Sequence, residues 1–512
     1  MGLTDDLEQL ELNIDRELVR RDGLHAFTRL AWPKVEPGIE FQDNWHIGAV
    51  CEHLQAVTQN EIQNLLILQP PSTTKSILVG TMWPAWDWIV DARTRFIFSS
   101  YGQSLSEKNA RMHRDLVLHP WFRARWGDRV TIARDSVTKV KEFENTARGF
   151  RFSTSVGGEV TGRHGNRLVF DDLVKAQDAE GRPVVTDKDA LHKANTFWFK
   201  TMGSREADPR TTKRVGVMQR LHGEDAAAKC EETGRYTILR LPMEYERKYH
   251  CHTSWARRDG SVATFDDPRT EEGELLQPDR FDADKVQQLK EDLGPTAYAA
   301  QEQQRPTQIG GNIFKEEWFQ YWNPAALPEQ WPTLIQSWDM SFKKTSTADY
   351  VCGQVWGVYK ANLYLLDMVW ARMSLTETID AVRALSQNWP RAYTKIVEDA
   401  ANGPGVCDIL QDEIMGLELV RPEGGKEARA YACEPFWARR SVWLPPNHSQ
   451  LEELKKQHAG FPRVTHDDAV DAGTQAVLYL ARGIKTTVEE YRRSAKSTRG
   501  PGVTARDLTR IW

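Results

Sequence analysis

Leu65-Leu66-Ile67-Leu68-Gln69-Pro70-Pro71-Ser72-Thr73-Thr74-Lys75-Ser76 decides how the first half of this 512-residue chain is read. Four consecutive apolar residues predict a buried strand, a turn of Pro, Ser and Thr ends it, and Lys75-Ser76 lead into the apolar run Ile77-Leu78-Val79. In a strand–turn–helix that opens on Lys-Ser, closely packed backbone N–H groups cradle phosphates while Lys and Ser reach the β/γ-phosphates and Mg²⁺. The nucleotide-contacting candidates are therefore Pro71, Ser72, Thr73, Thr74, Lys75 and Ser76. The loop departs from the G-x-x-x-x-G-K-[ST] rule at both glycines, where Gln69 and Thr74 stand, and Pro70 and Pro71 each lack an N–H donor. A β-branched Thr74 is expected to resist any φ > 0 conformation. An ordinary polar turn ending in Lys-Ser has the same spacing.

Further along, Arg167-Leu168-Val169-Phe170-Asp171-Asp172 is an apolar strand ending in two acids. Asp171 is placed to hold Mg²⁺ through water and Asp172 to orient or activate an attacking water. A buried strand with an exposed acidic end reads the same way by itself; after a Lys-Ser loop in the same chain, the pair points to ATP hydrolysis. Such hydrolysis also needs positive charge at the γ-phosphate. Arg163, in Gly157-Gly158-Glu159-Val160-Thr161-Gly162-Arg163, and Arg220, in Gln219-Arg220-Leu221-His222, are the candidates, each of which a surface salt bridge also explains.

Short β-rich runs at 65–68, 95–99, 167–170 and 214–218 alternate with helical stretches such as 104–118, which predicts a parallel sheet covered by helices. Before it, residues 1–58 read as a helical approach segment. The α/β core is expected over 59–235, a polar small subdomain and linker over 236–325, a second α/β domain over 326–482 and a flexible basic tail over 483–512. In the second domain strands are predicted at 333–342, 350–359 and 362–373, with Lys360-Ala361-Asn362 as a hairpin turn; a helix capped by Ser374-Leu375-Thr376-Glu377 follows, then a strand ending at Glu398 and a helix from Asp467.

The acids of that second domain form a set. Strand alternation puts Ile335, Ser337, Asp339 and Ser341 on one face, and a carboxylate in the middle of a sheet is costly unless a cation compensates it. Glu398 closes Thr394-Lys395-Ile396-Val397, so adjacent strands would bring Asp339 and Glu398 to one edge. In Phe461-Pro462-Arg463-Val464-Thr465-His466-Asp467-Asp468-Ala469-Val470-Asp471 the helix begins with more acids: Asp468, Asp471 and Gln475 share one face, and Ala469, Ala472, Ala476 and Leu480 another that permits close approach to a sheet. Asp467-Asp468 also suits a helix N-terminus as a dipole-complementing pair. Asp339, Glu398 and Asp468 are the catalytic candidates, and Asp339, Glu398, Asp467, Asp468 and Asp471 the metal candidates, for two Mg²⁺ or Mn²⁺ ions about 3.5–4 Å apart in phosphodiester cleavage.

Composition bounds these readings. The net charge of −5 argues against a globally basic DNA-coating protein and leaves local basic stripes open. Lys343, Lys344, Arg439, Arg440 and the tail arginines and lysines beyond 485 are candidate phosphate contacts, and solvated charge explains each of them as well. The six cysteines form no C-x-x-C pair, as expected in a reducing compartment, and His250-Cys251-His252 lacks a second ligand pair for zinc. No apolar run reaches about 18 residues, so no membrane span is expected.

In this order the motifs resemble the large subunit of tailed-phage terminases. The likeness runs over 41–480 and is carried by Phe41-Gln42-Asp43-Asn44-Trp45-His46, Pro70-Pro71-Ser72-Thr73-Thr74-Lys75-Ser76, Ser99-Ser100-Tyr101-Gly102-Gln103-Ser104, Thr161-Gly162-Arg163, Phe170-Asp171-Asp172, Gln219-Arg220-Leu221-His222, Ser337-Trp338-Asp339, Val397-Glu398-Asp399 and His466-Asp467-Asp468. The resemblance implies an N-terminal ASCE-type P-loop ATPase with a parallel sheet, then a C-terminal RNase H-like nuclease with a mixed sheet. It also implies ATP and Mg²⁺ (or Mn²⁺ at the nuclease) as cofactors. The implied partners are double-stranded DNA, a small terminase subunit and the portal protein of the procapsid, with a homo-oligomeric ring during packaging in the host cell cytoplasm. Many relatives carry Gly where Thr74 stands, some an Arg within the loop, usually Glu where Asp172 stands and often Thr where Gln219 stands. The family pattern does not decide among Asp467, Asp468 and Asp471. Two other readings are a helicase-nuclease of repair or recombination, although no further helicase motif set is present, and a non-catalytic DNA-binding component of a viral particle.

Overall fold

The computed structural model describes residues 3–175, 188–306, 312–340, 349–400, 403–422 and 424–497. They divide into two compact units. The first holds the described residues up to 288 together with 296–306; the second holds 289–295 and the described residues from 312 onward.

The first unit is built on a seven-stranded sheet of β1 (Asn64–Leu68), β2 (Arg95–Ser100), β3 (Glu142–Glu144), β4 (Phe150–Ser155), β5 (Arg167–Asp171), β6 (Lys213–Met218) and β7 (Thr237–Arg240), in the order β3-β4-β2-β5-β6-β1-β7. Every neighbouring pair is parallel except β3 with β4. The continuous apolar runs follow from this: Leu65, Leu66, Ile67 and Leu68 are all fully buried, as parallel strands covered on both faces require. β6 lies between the strand that feeds the Lys-Ser loop and the strand that ends in the two acids, the inserted-strand order expected of an ASCE-type core. β7 lies past residue 235 yet pairs with β1, so the sheet extends into what was expected to be the small subdomain. The remainder of that segment carries the antiparallel pair β8 (His252–Ala256) and β9 (Val262–Asp266) and helix Ala283–Gln301. In it, His250 and His252 both bond Asp266.

The first helix spans Leu3–Val35 with a break at Gly23, where φ is 65°. A side chain there would place its Cβ 2.1 Å from Gln55 Oε1, which accepts the Leu24 N–H.

The second unit is a mixed sheet of β10 (Gln320–Tyr321), β11 (Thr333–Asp339), β12 (Asp349–Tyr359), β13 (Asn362–Met373), β14 (Thr394–Glu398), β15 (Leu417–Val420) and β16 (Val442–Leu444), ordered β10-β16-β13-β12-β11-β14-β15. β11, β12 and β13 form an antiparallel meander, and β14 and β15 add in parallel beside β11. The hairpin turns at Lys360 (φ 48°) and Ala361 (φ 58°), a two-residue connection whose twist matches the strands. Ser374 and Glu377 form the expected reciprocal cap, each side chain bonding the other's backbone N–H.

Alternation along β11 gives this sheet two cores. Ile335 faces the helix Asp468–Ser497 with its Ala469, Ala472, Ala476, Val477 and Leu480, and the helix Lys426–Ala438 with Cys433 and Trp437. Trp338 faces Ile379, Val382 and Leu385 of the helix Leu375–Asn388 and Val406 and Leu410 of the helix Gly403–Leu410. The final helix runs to Ser497, so the segment expected to begin as a flexible tail at 483 begins as helix; residues 498–512 lie outside the described residues.

Candidate functional sites

In the first unit the loop after β1 enters a helical run from Lys75 to Val90 that contains a wider π-type turn over Leu78–Met82. Ser72 has φ 60° and Thr74 φ 71°, so Thr74 adopts the left-handed conformation its β-branched side chain was expected to resist. Tertiary context has overridden the local preference, and the bend a glycine would give is present without one. Non-glycine residues held in that region cost of order 1–3 kcal/mol and cluster where ligands are clamped. As the first residues of the helical run, Lys75 and Ser76 have N–H groups with no intrahelical acceptor. Thr73 Oγ1 closes the turn by donating to Pro70 O at 2.7 Å.

The two sequence-predicted halves of this site meet. Ser76 Oγ donates to Asp171 Oδ1 at 3.0 Å, and Asn109 Nδ2 donates to Asp171 Oδ2 at 3.2 Å. Lys75 is buried, its ammonium donating to Gln69 O at 2.9 Å. Asp172 has φ 45° and accepts the Gln219 N–H at 3.2 Å. Burial and its neighbour Asp172 raise the Asp171 carboxyl, against Lys75, Ser76 and Asn109; Asp172 is raised by burial in the same way. Glu302 is also buried, and burial pushes it up to about 7 against the Lys75 charge. One ammonium thus faces the buried carboxyls of Asp171 and Glu302 and the half-buried Asp172, and the fully buried Gln69 amide leaves both its polar atoms without a partner. A polyphosphate with its cation fits such a cradle.

Neither candidate arginine is available in this arrangement. Arg163 makes a two-pronged contact to Glu142 on the edge strand β3, at 3.1 and 2.6 Å, and lies over the Phe152 ring. Arg220 is buried in ion pairs with Asp225 and Glu231, and Gln304 Oε1 accepts its backbone N–H. Both are bound by neighbouring acids, whose positions the motif spacing did not reveal.

In the second unit β11 and β14 are adjacent and parallel, with Trp338 opposite Val397. Asp339 and Glu398, the next residues, therefore end both strands at one edge. Ser337 Oγ donates to Ala472 O at 2.7 Å, and Gln475 Nε2 donates to Ser337 Oγ at 3.0 Å and approaches Trp338 O and Ile396 O at 3.4 Å, which pins the acid-bearing helix across both strands. Asp468 accepts from Trp370 Nε1 at 3.2 Å, and burial raises its carboxyl. Asp467 bonds Lys426 Nζ at 2.8 Å, while its carbonyl accepts the Val470 and Asp471 N–H groups as the helix starts. Asp471 is paired with Lys426 and with Arg429 Nη2 at 3.0 Å, and Arg429 Nη2 also stands 4.0 Å from Glu398 Oε2. Burial raises both Glu398 and Asp471 against these cations. For Lys426, burial acts downward and the Asp471 and Asp467 carboxylates outweigh it, so its ammonium is held more firmly protonated.

An all-oxygen donor set suits Mg²⁺ or Mn²⁺. Yet among the described residues no three His, Cys, Asp or Glu side chains gather closely enough to hold one ion. Lys426 and Arg429 were missed in the sequence; their i,i+3 spacing on one helix face is the signal that would have found them. Of the candidate DNA contacts, Arg439 lies over Phe436 and donates to Ser441 Oγ at 3.0 Å, and Lys343 and Lys344 lie outside the described residues.

The family described as Terminase RNaseH-like domain matches residues 336–480, from within β11 into the acid-bearing helix. Residues 336–480 are a terminase RNase H-like domain. No curated protein matches the chain. Among solved structures, the chain is similar to the large terminase of the thermophilic bacteriophage D6E in complex with ADP, at 10% identity and TM-score 0.45, with 83% of this chain and 97% of that one covered. The large terminase of bacteriophage HK97 is 10% identical with TM-score 0.32, covering 86% and 95%. The large terminase nuclease of thermophilic phage G20c with bound magnesium is 13% identical with TM-score 0.26, covering 33% and 97%. The matched residues cover β11 to β16 of the second unit's sheet. Its edge of β11 and β14 is where the expected acids Asp339 and Glu398 lie.

Proposed function

We propose that this chain is a DNA-packaging motor subunit, a large terminase, in which ATP hydrolysis in the first unit drives duplex DNA into a procapsid and the nuclease cuts concatemeric DNA at initiation and termination. The observation that carries the reading is the 3.0 Å bond from Ser76 to Asp171, which joins a phosphate loop to a metal-binding acid in the same chain as a terminase nuclease domain. Lys75 is the group to neutralise the β/γ-phosphates, Ser76 and Asp171 to hold Mg²⁺, and Asp172, oriented by the Gln219 N–H, to position the attacking water. Mg²⁺ or Mn²⁺ held by Asp339, Glu398 and Asp468 would supply charge stabilisation and an activated water for strand cleavage. Because a translocating motor accepts any sequence, its DNA contacts are to phosphate and its affinity falls steeply with salt. The domain order, the small terminase and portal partners, the ring assembly and work in the host cytoplasm belong to the same reading. Among the described residues no helix is long and apolar enough to cross a membrane.

The test separates the two chemistries. Asp339→Asn should abolish metal-dependent DNA cleavage and spare ATPase activity, whereas Lys75→Ala should remove ATPase turnover and leave the nuclease intact. DNA cutting undiminished in Asp339→Asn would overturn the nuclease assignment. The absence of ATP turnover in the wild type, with and without DNA, would overturn the motor.

A further inference from the structure

The acids at the edge of β11 and β14 are met by cations of the protein itself. Lys426 Nζ contacts both Asp467 and Asp471, and Arg429 Nη2 lies 3.0 Å from Asp471 and 4.0 Å from Glu398. Both cations stand on one helix, Lys426–Ala438, three residues apart, and Ala430, Cys433 and Trp437 of that helix are buried in the core shared with the acid-bearing helix. Arg429 is held in place by packing, while Lys426 reaches the acids from the exposed start of the same helix. Arg429 is buried, with its Nε making no hydrogen bond, so its charge is directed at these carboxylates.

We propose that Lys426 and Arg429 are built-in competitors of the divalent metal: they occupy the charge position between Glu398, Asp467 and Asp471, and metal loads at that end of the site only as they withdraw. The proposal rests on the reading of this edge as a two-metal nuclease. A phosphate is a ligand that can draw both cations away, since Arg and Lys pair with it as they do with a carboxylate. The clamp therefore weakens metal loading at that end of the site until a phosphate backbone engages the two cations.

The test is Mn²⁺ binding to the full chain by titration calorimetry, with the Mn²⁺-dependent rise in Tm as a second readout. An adjacent cation lowers the proton affinity of an Asp by about 1–3 pH units, so its removal should tighten Mn²⁺ binding by roughly tenfold or more in Lys426→Met and again in Arg429→Gln. The Lys426 side chain is 49% exposed, so Lys426→Met leaves the core intact and keeps the test decisive where Arg429→Gln fails to fold. Asp468→Asn is the control that weakens binding. Variants that bind Mn²⁺ no more tightly than wild type, while Asp468→Asn still weakens it, overturn the clamp alone. Folded wild type and variants that all fail to bind Mn²⁺ overturn the clamp and the nuclease reading together.

Discussion

Replacing Thr74 by glycine should stabilise the first unit. Thr74 sits at φ 71°, ψ −4°, half-buried, with no side-chain capping bond to lose. A residue with a Cβ pays roughly 1–2 kcal/mol in the left-handed region, and glycine pays almost nothing. Against this, the freer glycine adds about 0.4–1 kcal/mol to the entropy cost of folding. The net gain is about 1 kcal/mol, or at most ~2 °C in Tm, since the unit exceeds the 150–250 residues for which that energy shifts Tm by about 2–4 °C. Thr74→Ala keeps the Cβ and most of the strain, so it should stay within about 0.5 kcal/mol of wild type. Scanning calorimetry of the full chain, comparing the three proteins, is the assay. A glycine variant no more stable than the alanine variant would refute the strain argument, because removal of the Cβ would then carry no special benefit. Because glycine adopts the same left-handed φ, the same variant should change ATPγS affinity by less than about threefold, a factor that corresponds to under 1 kcal/mol.

Glu302 provides a pH signature. Its carboxyl is raised from 4.5 to about 7 by burial against the Lys75 charge. A raised acid favours the folded state fully below its unfolded pKa and loses that contribution as pH climbs through the folded value, here on the order of 3 kcal/mol between about pH 4.5 and 7. Glu302→Gln should flatten the fall in urea-unfolding stability between pH 5 and 8, and parallel curves for the two proteins would contradict the assignment. Gln475→Leu should cost about 1–3 kcal/mol by removing the donor shared by Ser337, Trp338 and Ile396. Hydrogen exchange should then quicken at the ends of β11 and β14, and unchanged protection there would show that the helix is held by apolar packing alone.

The strands carrying the sites were legible because their burial is written into their composition. β1 and β5 are unbroken apolar runs, β13 agrees with its predicted bounds, and β14 ends at the acid that had marked its limit. β4 was not legible because Arg151 interrupts its pattern. That guanidinium is fully buried over the Phe98 ring at 3.8 Å and donates to Gly80 O, contacts no local signal announces. β15 is half-exposed and β16 spans three residues, too little for a periodicity to register. The acids of both sites stood out in sequence, since carboxylates at strand ends are unusual. Their partners Asn109, Glu302, Lys426 and Arg429 did not, being ordinary polar residues until the chain folds. Thr74 shows the opposite failure: the local preference was read correctly and the fold overruled it.

The 30-residue helix Asp468–Ser497 carries acids in its first turn and packs on β11 and β12. At 1.5 Å per residue it is a rod of about 45 Å. Asp468 and Asp471 stand at its first turn, so their orientation at the sheet edge is set by the orientation of the whole rod.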